Sequence, residues 1–299
     1  MVLNQERLEA ALKVVKSDLN LLGFTNNSDR VIDFSIYIFE QLESTNKTLW
    51  QLLNNGAPSG TVVIANRQTS GRGQWGREWN SPLGGLYLSL ALFPNLPVTK
   101  SFQLTLSSAW GIATILRSYH LPVLIKWPND LILSQRKLGG ILTETKIQSQ
   151  IITKAVVGVG INWANSVPPT GIALQSYQAN CLKNQVSLEK TDFCESLEML
   201  AAITLWGIAS GIEYMQNESV EKLLSSYLAI LANLGQAIMV EGQSGVIAGV
   251  TATGDLRIEI DSPNQSPPNQ PGSNPSRPDV AAREIFVKPG TIRLGYDTL

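Results

Sequence analysis

Apolar residues recur at helical spacing through Leu8, Ala11, Leu12, Val15, Leu19 and Leu22, and Gly23 follows as a stop. The spacing predicts a helix over residues 5–22. Residues 37–42 alternate as a strand, and Ser44 and Thr45 offer an N-cap for a helix through Leu53. The β-branched run Thr61–Ala65 and the apolar run Leu86–Leu92 predict buried strands, and residues 101–119 an amphipathic helix. Strands are then predicted over 123–127, 131–133, 140–145 and 151–161 with only tight turns between them. Strands that follow one another without crossover helices predict an α+β fold. Its sheet should be mixed and largely antiparallel with helices on one side, not a doubly wound unit. Gly158-Val159-Gly160 lacks a third glycine opening a helix, which excludes a dinucleotide fingerprint.

Residues 188–231 return to helical spacing. Beyond Gly235 come five short apolar runs, at 237–240, 246–250, 256–260, 284–287 and 291–294, which predict a small β-barrel. Between the third and fourth runs, residues 262–280 are rich in Pro, Asn, Ser and Gln, too polar to order themselves, and are expected to form a disordered insert.

Composition narrows the function classes. A net charge of −1 with 16% charged residues gives no basic face for nucleic acid, and no apolar stretch is long enough for a membrane span. Cys181 and Cys194 have no partners at metal-site spacing and are expected as reduced thiols in a cytoplasmic protein. The single histidine, His120, stands at a predicted helix end, which disfavours histidine-dependent nucleophilic catalysis.

Chemistry concentrates in short islands. Gly71-Arg72-Gly73-Gln74-Trp75-Gly76-Arg77-Glu78-Trp79 brings backbone N–H groups and two guanidinium forks within reach of a phosphate or carboxylate. Glu43-Ser44-Thr45-Asn46 and Ala65-Asn66-Arg67-Gln68 precede it. Lys126-Trp127-Pro128-Asn129-Asp130-Leu131, Lys137-Leu138-Gly139-Gly140-Ile141-Leu142 and Val157-Gly158-Val159-Gly160-Ile161-Asn162 follow. In this order, from about Phe39 to Asn162, the set resembles the catalytic domain of biotin–protein ligases. The C-terminal strands match that family's SH3-like domain more loosely.

The resemblance implies a class II synthetase-like catalytic domain over 36–233, an N-terminal helical extension over 1–35 and an SH3-like domain over 234–299. It implies an enzyme that joins biotin to ATP, with Mg²⁺ accompanying the nucleotide, and passes the biotinyl group to a lysine of a biotin carboxyl carrier domain, that of acetyl-CoA carboxylase being the expected acceptor. Lys137 matches the family lysine at the biotin carboxylate and α-phosphate, with Arg72 as a second catalytic cation. Ser44, Thr45, Asn46 and Gln68 match the positions that hold the ureido ring. Gly73, Arg77, Trp79, Asn129, Gly139, Gly140 and Asn162 fall on the adenylate side, and residues 163–174 are expected to fold over adenine. Asp130 has three roles open to it: holding Lys137, helping with metal, or assisting deprotonation of the acceptor lysine. Gln74 departs from the family, which often carries arginine there; glutamine keeps hydrogen bonding and loses the charge.

Lipoate–protein ligases share the architecture, but the Gly-Arg-Gly loop and Lys-Trp-Pro-Asn-Asp favour biotin. Some biotin ligases also repress transcription through an N-terminal helix-turn-helix. Only about forty residues precede Ser44 here, with one helix and no basic recognition helix, so an enzyme without DNA binding is expected. Monomer and homodimer both stay open.

Overall fold

The computed structural model describes residues 2–21, 32–183, 194–260, 283–292 and 294–296. The chain begins with α1 (Gln5–Leu21), β1 (Ser35–Leu42), α2 (Thr45–Asn54), β2 (Thr61–Gln68) and β3 (Leu86–Leu92). Next come β4 (Leu96–Pro97), α3 (Ser101–Ser118), β5 (Leu124–Lys126), β6 (Asp130–Leu133), β7 (Arg136–Gln148) and β8 (Ile151–Ile161). Helices α4 (Leu174–Lys183), α5 (Leu197–Asn217) and α6 (Val220–Leu228) lead to β9 (Ala237–Val240), β10 (Gln243–Val250), β11 (Leu256–Ile260) and β12 (Arg283–Val287).

The fold class is the α+β arrangement expected. An eight-stranded sheet runs β1-β2-β3-β8-β7-β6-β5 with β4 on β8; β1 and β2 pair in parallel and the other pairs are antiparallel. Helices cover both faces, not one. On one side Leu86, Leu88, Leu90 and Leu92 of β3 join the main core with α1, α3 and α5. On the other, Leu49 and Leu53 of α2 pack on Val63, Ala91 and Val156. Residues 61–66 of β2 and all of β3 are therefore buried on both faces, and their continuous apolar runs record this double cover. Helices α3 and α5 approach so closely that a Cβ on Gly111 would overlap the Gly207 carbonyl. Helix α1 is fixed to the same layer, the Trp206 indole donating to the Leu12 carbonyl at 3.0 Å.

Helix α4 was not expected. It buries only Leu174, Gln178 and Cys181, a stripe too narrow and polar to read from the pattern. The predicted end of α1 at Leu22 and Gly23, part of the predicted 188–231 helical stretch, and the 262–280 insert lie outside the described residues.

The C-terminal strands form a second, antiparallel sheet, β12-β11-β10-β9. The expected fifth strand at 291–294 does not appear among the described residues: Thr291 closes a turn on the Lys288 carbonyl at 3.2 Å. From there the chain crosses to the large sheet. Lys126 Nζ donates to the Leu294 carbonyl at 2.5 Å, and Tyr296 donates to Asp130 Oδ2 at 2.5 Å. Trp127 Nε1 donates to the Gly254 carbonyl at 2.9 Å, tying the same region to the small sheet from beneath.

Candidate active site

A cavity of about 370 Å³ opens between α2, the 71–79 loop, the ends of β5–β8 and the C-terminal segment 290–296, within the range of small-molecule sites. Its floor is neutral and hydrogen-bonded. Ser44 precedes α2 but makes no side-chain cap, so the capping role expected of it is not used. Gln68, at the end of β2, takes that place: its Oε1 accepts from Thr45 N at 2.8 Å and Thr45 Oγ1 at 3.2 Å, and its Nε2 donates to Ser81 Oγ at 2.8 Å. Ser89, wholly buried in β3, lies 2.8 Å from Thr45 Oγ1 and 2.6 Å from Asn46 Oδ1. Asn46 Nδ2 donates to Glu144 Oε2 at 3.0 Å. Ser44, Thr45 and Asn46 are all under 5% exposed in the folded chain.

The glycines of β8 make room for this floor. Alternation turns Gly158 and Gly160 to the cavity face, where a Cβ on Gly158 would collide with the Asn46 amide and one on Gly160 with the Trp79 indole. The motif that failed as a dinucleotide fingerprint thus lets two side chains lie flat on a strand.

Charged groups line the cavity as well: Lys126, Lys137, Arg72 and Arg77, with Asp130 and Glu78. Lys137 sits in β7, and a register shift against β6 leaves Leu138 as an extra residue between Lys137 and Gly139. That bulge puts Lys137 and Gly140 on the same face: a Cβ on Gly140 would lie 3.6 Å from Lys137 Nζ and 3.4 Å from Asp130 Oδ1. Lys137 Nζ pairs with Asp130 Oδ1 at 2.7 Å and stands 5.2 Å from the centre of the Trp79 ring. Asp130 therefore accepts two donors, Lys137 on one oxygen and Tyr296 on the other. Burial above all, then the neighbouring Asp130 charge, raises the Tyr296 phenol above the ordinary tyrosine range and keeps it a donor.

The 71–79 loop is a tight hairpin. Gly73 N donates to the Arg77 carbonyl at 2.7 Å and Trp79 N to the Gly71 carbonyl at 2.9 Å. Arg72 Nη1 pairs with Glu144 Oε1 at 3.2 Å. Gln74 Oε1 and Trp79 Nε1 are buried without a hydrogen-bond partner although both residues line the cavity. An acceptor and a donor left open on opposite parts of one loop suit a polar ligand.

Most of the expected residues meet here: Ser44, Thr45, Asn46, Gln68, Arg72, Gly73, Gln74, Arg77, Trp79, Asn129, Asp130, Lys137 and Gly140 all line the cavity. Asn129 Nδ2 is turned to the Ile141 carbonyl at 2.5 Å. Two do not. Gly139 faces away, toward the Gly160 carbonyl and Ile161, because neighbouring strand residues point to opposite faces. Asn162 is buried beside the start of β7, its Nδ2 3.3 Å from the Lys137 carbonyl and its Oδ1 accepting from Asn165. Residues 163–174 also lie outside the cavity wall; Lys137 N bonds to the Thr170 carbonyl and Ile172 N to the Lys137 carbonyl, so this segment braces the lysine from behind. Sequence reasoning missed Ser89, Glu144 and Tyr296. Alternation from Gly140 through Leu142 pointed Glu144 toward the cavity face; nothing local marked Tyr296. Among the described residues no group of three His, Cys, Asp or Glu side chains could hold a metal ion.

Residues 38–162 match the biotin/lipoate A/B protein ligase family. The bifunctional ligase/repressor BirA of Bacillus subtilis is 42% identical over 123 residues, 40% of this chain and 38% of that protein. The chain thus spans well under half the length of that relative. The biotin–[acetyl-CoA-carboxylase] ligase of Paracoccus denitrificans is 28% identical over 222 residues, 72% of this chain and 90% of that protein. The biotin protein ligase from Aquifex aeolicus, solved in complex with biotin and ATP, superposes with a TM-score of 0.59 at 25% identity, covering 75% of this chain and 91% of that one. The motif islands thus lie inside the span that matches the biotin/lipoate A/B protein ligase family, and the fold around them is the one seen in biotin protein ligase.

Proposed function

We propose that the chain activates biotin with MgATP and transfers the biotinyl group to a lysine of a biotin carboxyl carrier domain, working in the cytoplasm. A carboxylate oxygen of biotin attacks the α-phosphorus, and the bond to pyrophosphate breaks. The acceptor amine then attacks the acyl carbon of biotinyl-5′-adenylate, AMP leaves, and the amine loses a proton. The observation that carries this reading is the division of one cavity into a neutral floor and a cationic end. The floor suits a ureido ring, whose N–H and carbonyl groups ask for neutral partners inside apolar walls. At the other end, a carboxylate and a triphosphate repel each other until cations converge on both. Lys137 and Arg72 are assigned to the reacting carboxylate and α-phosphate, with Arg77 beside them. Lys137 leaves Asp130 for the ligand, and Asp130 is then open to the incoming amine, whose ordinary pKa of about 10.4 keeps it protonated. Magnesium enters as part of the nucleotide substrate.

Incubation with biotin, MgATP and an acceptor domain is expected to add one biotin to one acceptor lysine, read by intact mass. An acceptor that gains no mass while the same preparation binds neither biotin nor ATP overturns the reading; lipoylation in place of biotinylation would change the acid.

A further inference from the structure

We propose that Glu144 is the positioning residue for Arg72, aiming that guanidinium into the cavity before substrate arrives; the proposal rests on the ligase reading above. Glu144 lies on β7 and its side chain is 22% exposed. Its Oε2 accepts two neutral N–H groups from α2, Asn46 Nδ2 and Trp50 Nε1, each at 3.0 Å. Asn46 is itself locked from behind by Ser89, 2.6 Å from its Oδ1. The carboxylate rotamer is thus fixed by a helix and a buried strand, and its other oxygen is left pointing at Arg72 Nη1, 3.2 Å away.

Arg72 belongs to the glycine hairpin, and its side chain is 59% exposed. An ion pair between two exposed, flexible side chains contributes little, because both must be ordered to make it. Here one partner is ordered already, so only the arginine loses freedom. The placement also needs a reason, since a carboxylate beside a cavity for anions repels them by itself. Holding the arginine supplies that reason: the pair brings a directed cation at the expense of one nearby negative charge. The same carboxylate joins the two ends of the site, since Asn46 belongs to the neutral floor and Arg72 to the charged loop.

The test measures biotin binding by calorimetry in the presence of magnesium and α,β-methylene-ATP, which cannot release pyrophosphate, for the wild type, Glu144→Gln, Arg72→Ala and the double variant. Glu144→Gln is expected to weaken biotin about tenfold, the order expected for one charge-assisted hydrogen bond. In the Arg72→Ala background the same change is expected to move affinity by less than about twofold. Its effect should fall on KM for biotin more than on kcat. Unchanged or tighter binding by Glu144→Gln means the carboxylate only repels substrate, and overturns the proposal. An equal loss in the Arg72→Ala background means a structural role, and also overturns it. Should Glu144→Gln fail to fold, Trp50→Phe loosens the anchor and keeps both charges; a biotin affinity equal to wild type then overturns the proposal. Absence of biotin binding by the wild type overturns the ligase reading instead, so the two failures are distinct.

Discussion

The floor and the charged end of the cavity are built by opposite means. The floor takes its polar groups from α2, β2 and β3, and Thr45, Asn46, Gln68 and Ser89 satisfy one another through neutral hydrogen bonds. The charged end takes its groups from a hairpin, a strand bulge and a chain terminus, and holds them in pairs: Arg72 with Glu144, Lys137 with Asp130. A neutral, buried network has no better partner to turn to, so it is rigid. Ion pairs at a half-open cavity can be exchanged for the charges of a ligand. Recognition of an uncharged ring calls for the first kind of construction and chemistry on moving charge for the second.

The comparison breaks most visibly at Lys137. Lys137→Ala is expected to slow adenylation by about a hundredfold or more, as loss of a group that stabilises developing charge commonly does. Biotin affinity without nucleotide should change far less. Pyrophosphate exchange measures the first and calorimetry the second; near-normal exchange would place Lys137 outside the reaction.

Ser89→Ala probes the floor instead. It leaves Asn46 Oδ1 buried without its donor, which costs about 1–3 kcal/mol of stability. Urea midpoints should fall accordingly, and biotin should bind more weakly with kcat for bound substrate little changed. A kcat defect larger than the affinity defect would mean that the floor does more than hold the ring.

The smallest effect is expected at Tyr296, and with pH. Tyr227 and Tyr296 are both held above the ordinary tyrosine range, chiefly by burial and then by the Asp130 charge. Raised values favour the protonated form in the folded chain, so this contribution to stability is complete below about pH 10 and is lost as pH rises through the raised values. Denaturant midpoints should hold steady to about pH 10 and then fall. The fall should be shallower in Tyr296→Phe, which cannot ionise beside Asp130; an identical fall would separate the C-terminal segment from the charged end.

Much of this was legible beforehand because it is local. Thr45, Gln68, Arg72 and Lys137 lie in the islands that carry the family resemblance, and strands β1 to β3 and β5 to β8 announce themselves by apolar runs and turns, whereas the two-residue β4 does not. What stayed hidden depends on distant pairing. Tyr296 reaches Asp130 across 166 positions of chain, and Glu144 acquires meaning only once α2 lies over β7. Asn162 differs for a related reason: it was expected on the nucleotide side, but just past the end of β8 its amide turns to the Lys137 carbonyl. The second helical cover of the sheet was hidden in plain view, since strands buried on both faces lose the alternation that says which face is inside.

The bulge at Leu138 carries a consequence for how this motif can vary. On a regular strand, residues three apart point in opposite directions, so Lys137 and Gly140 would be separated by the sheet itself. The extra residue turns an odd interval into a shared side. What the motif protects is therefore a parity: deleting Leu138 leaves Lys137 and Gly140 two apart and still on one side, whereas ironing the bulge flat with Leu138 kept in the ladder sends the lysine to the far side of the sheet from its cavity.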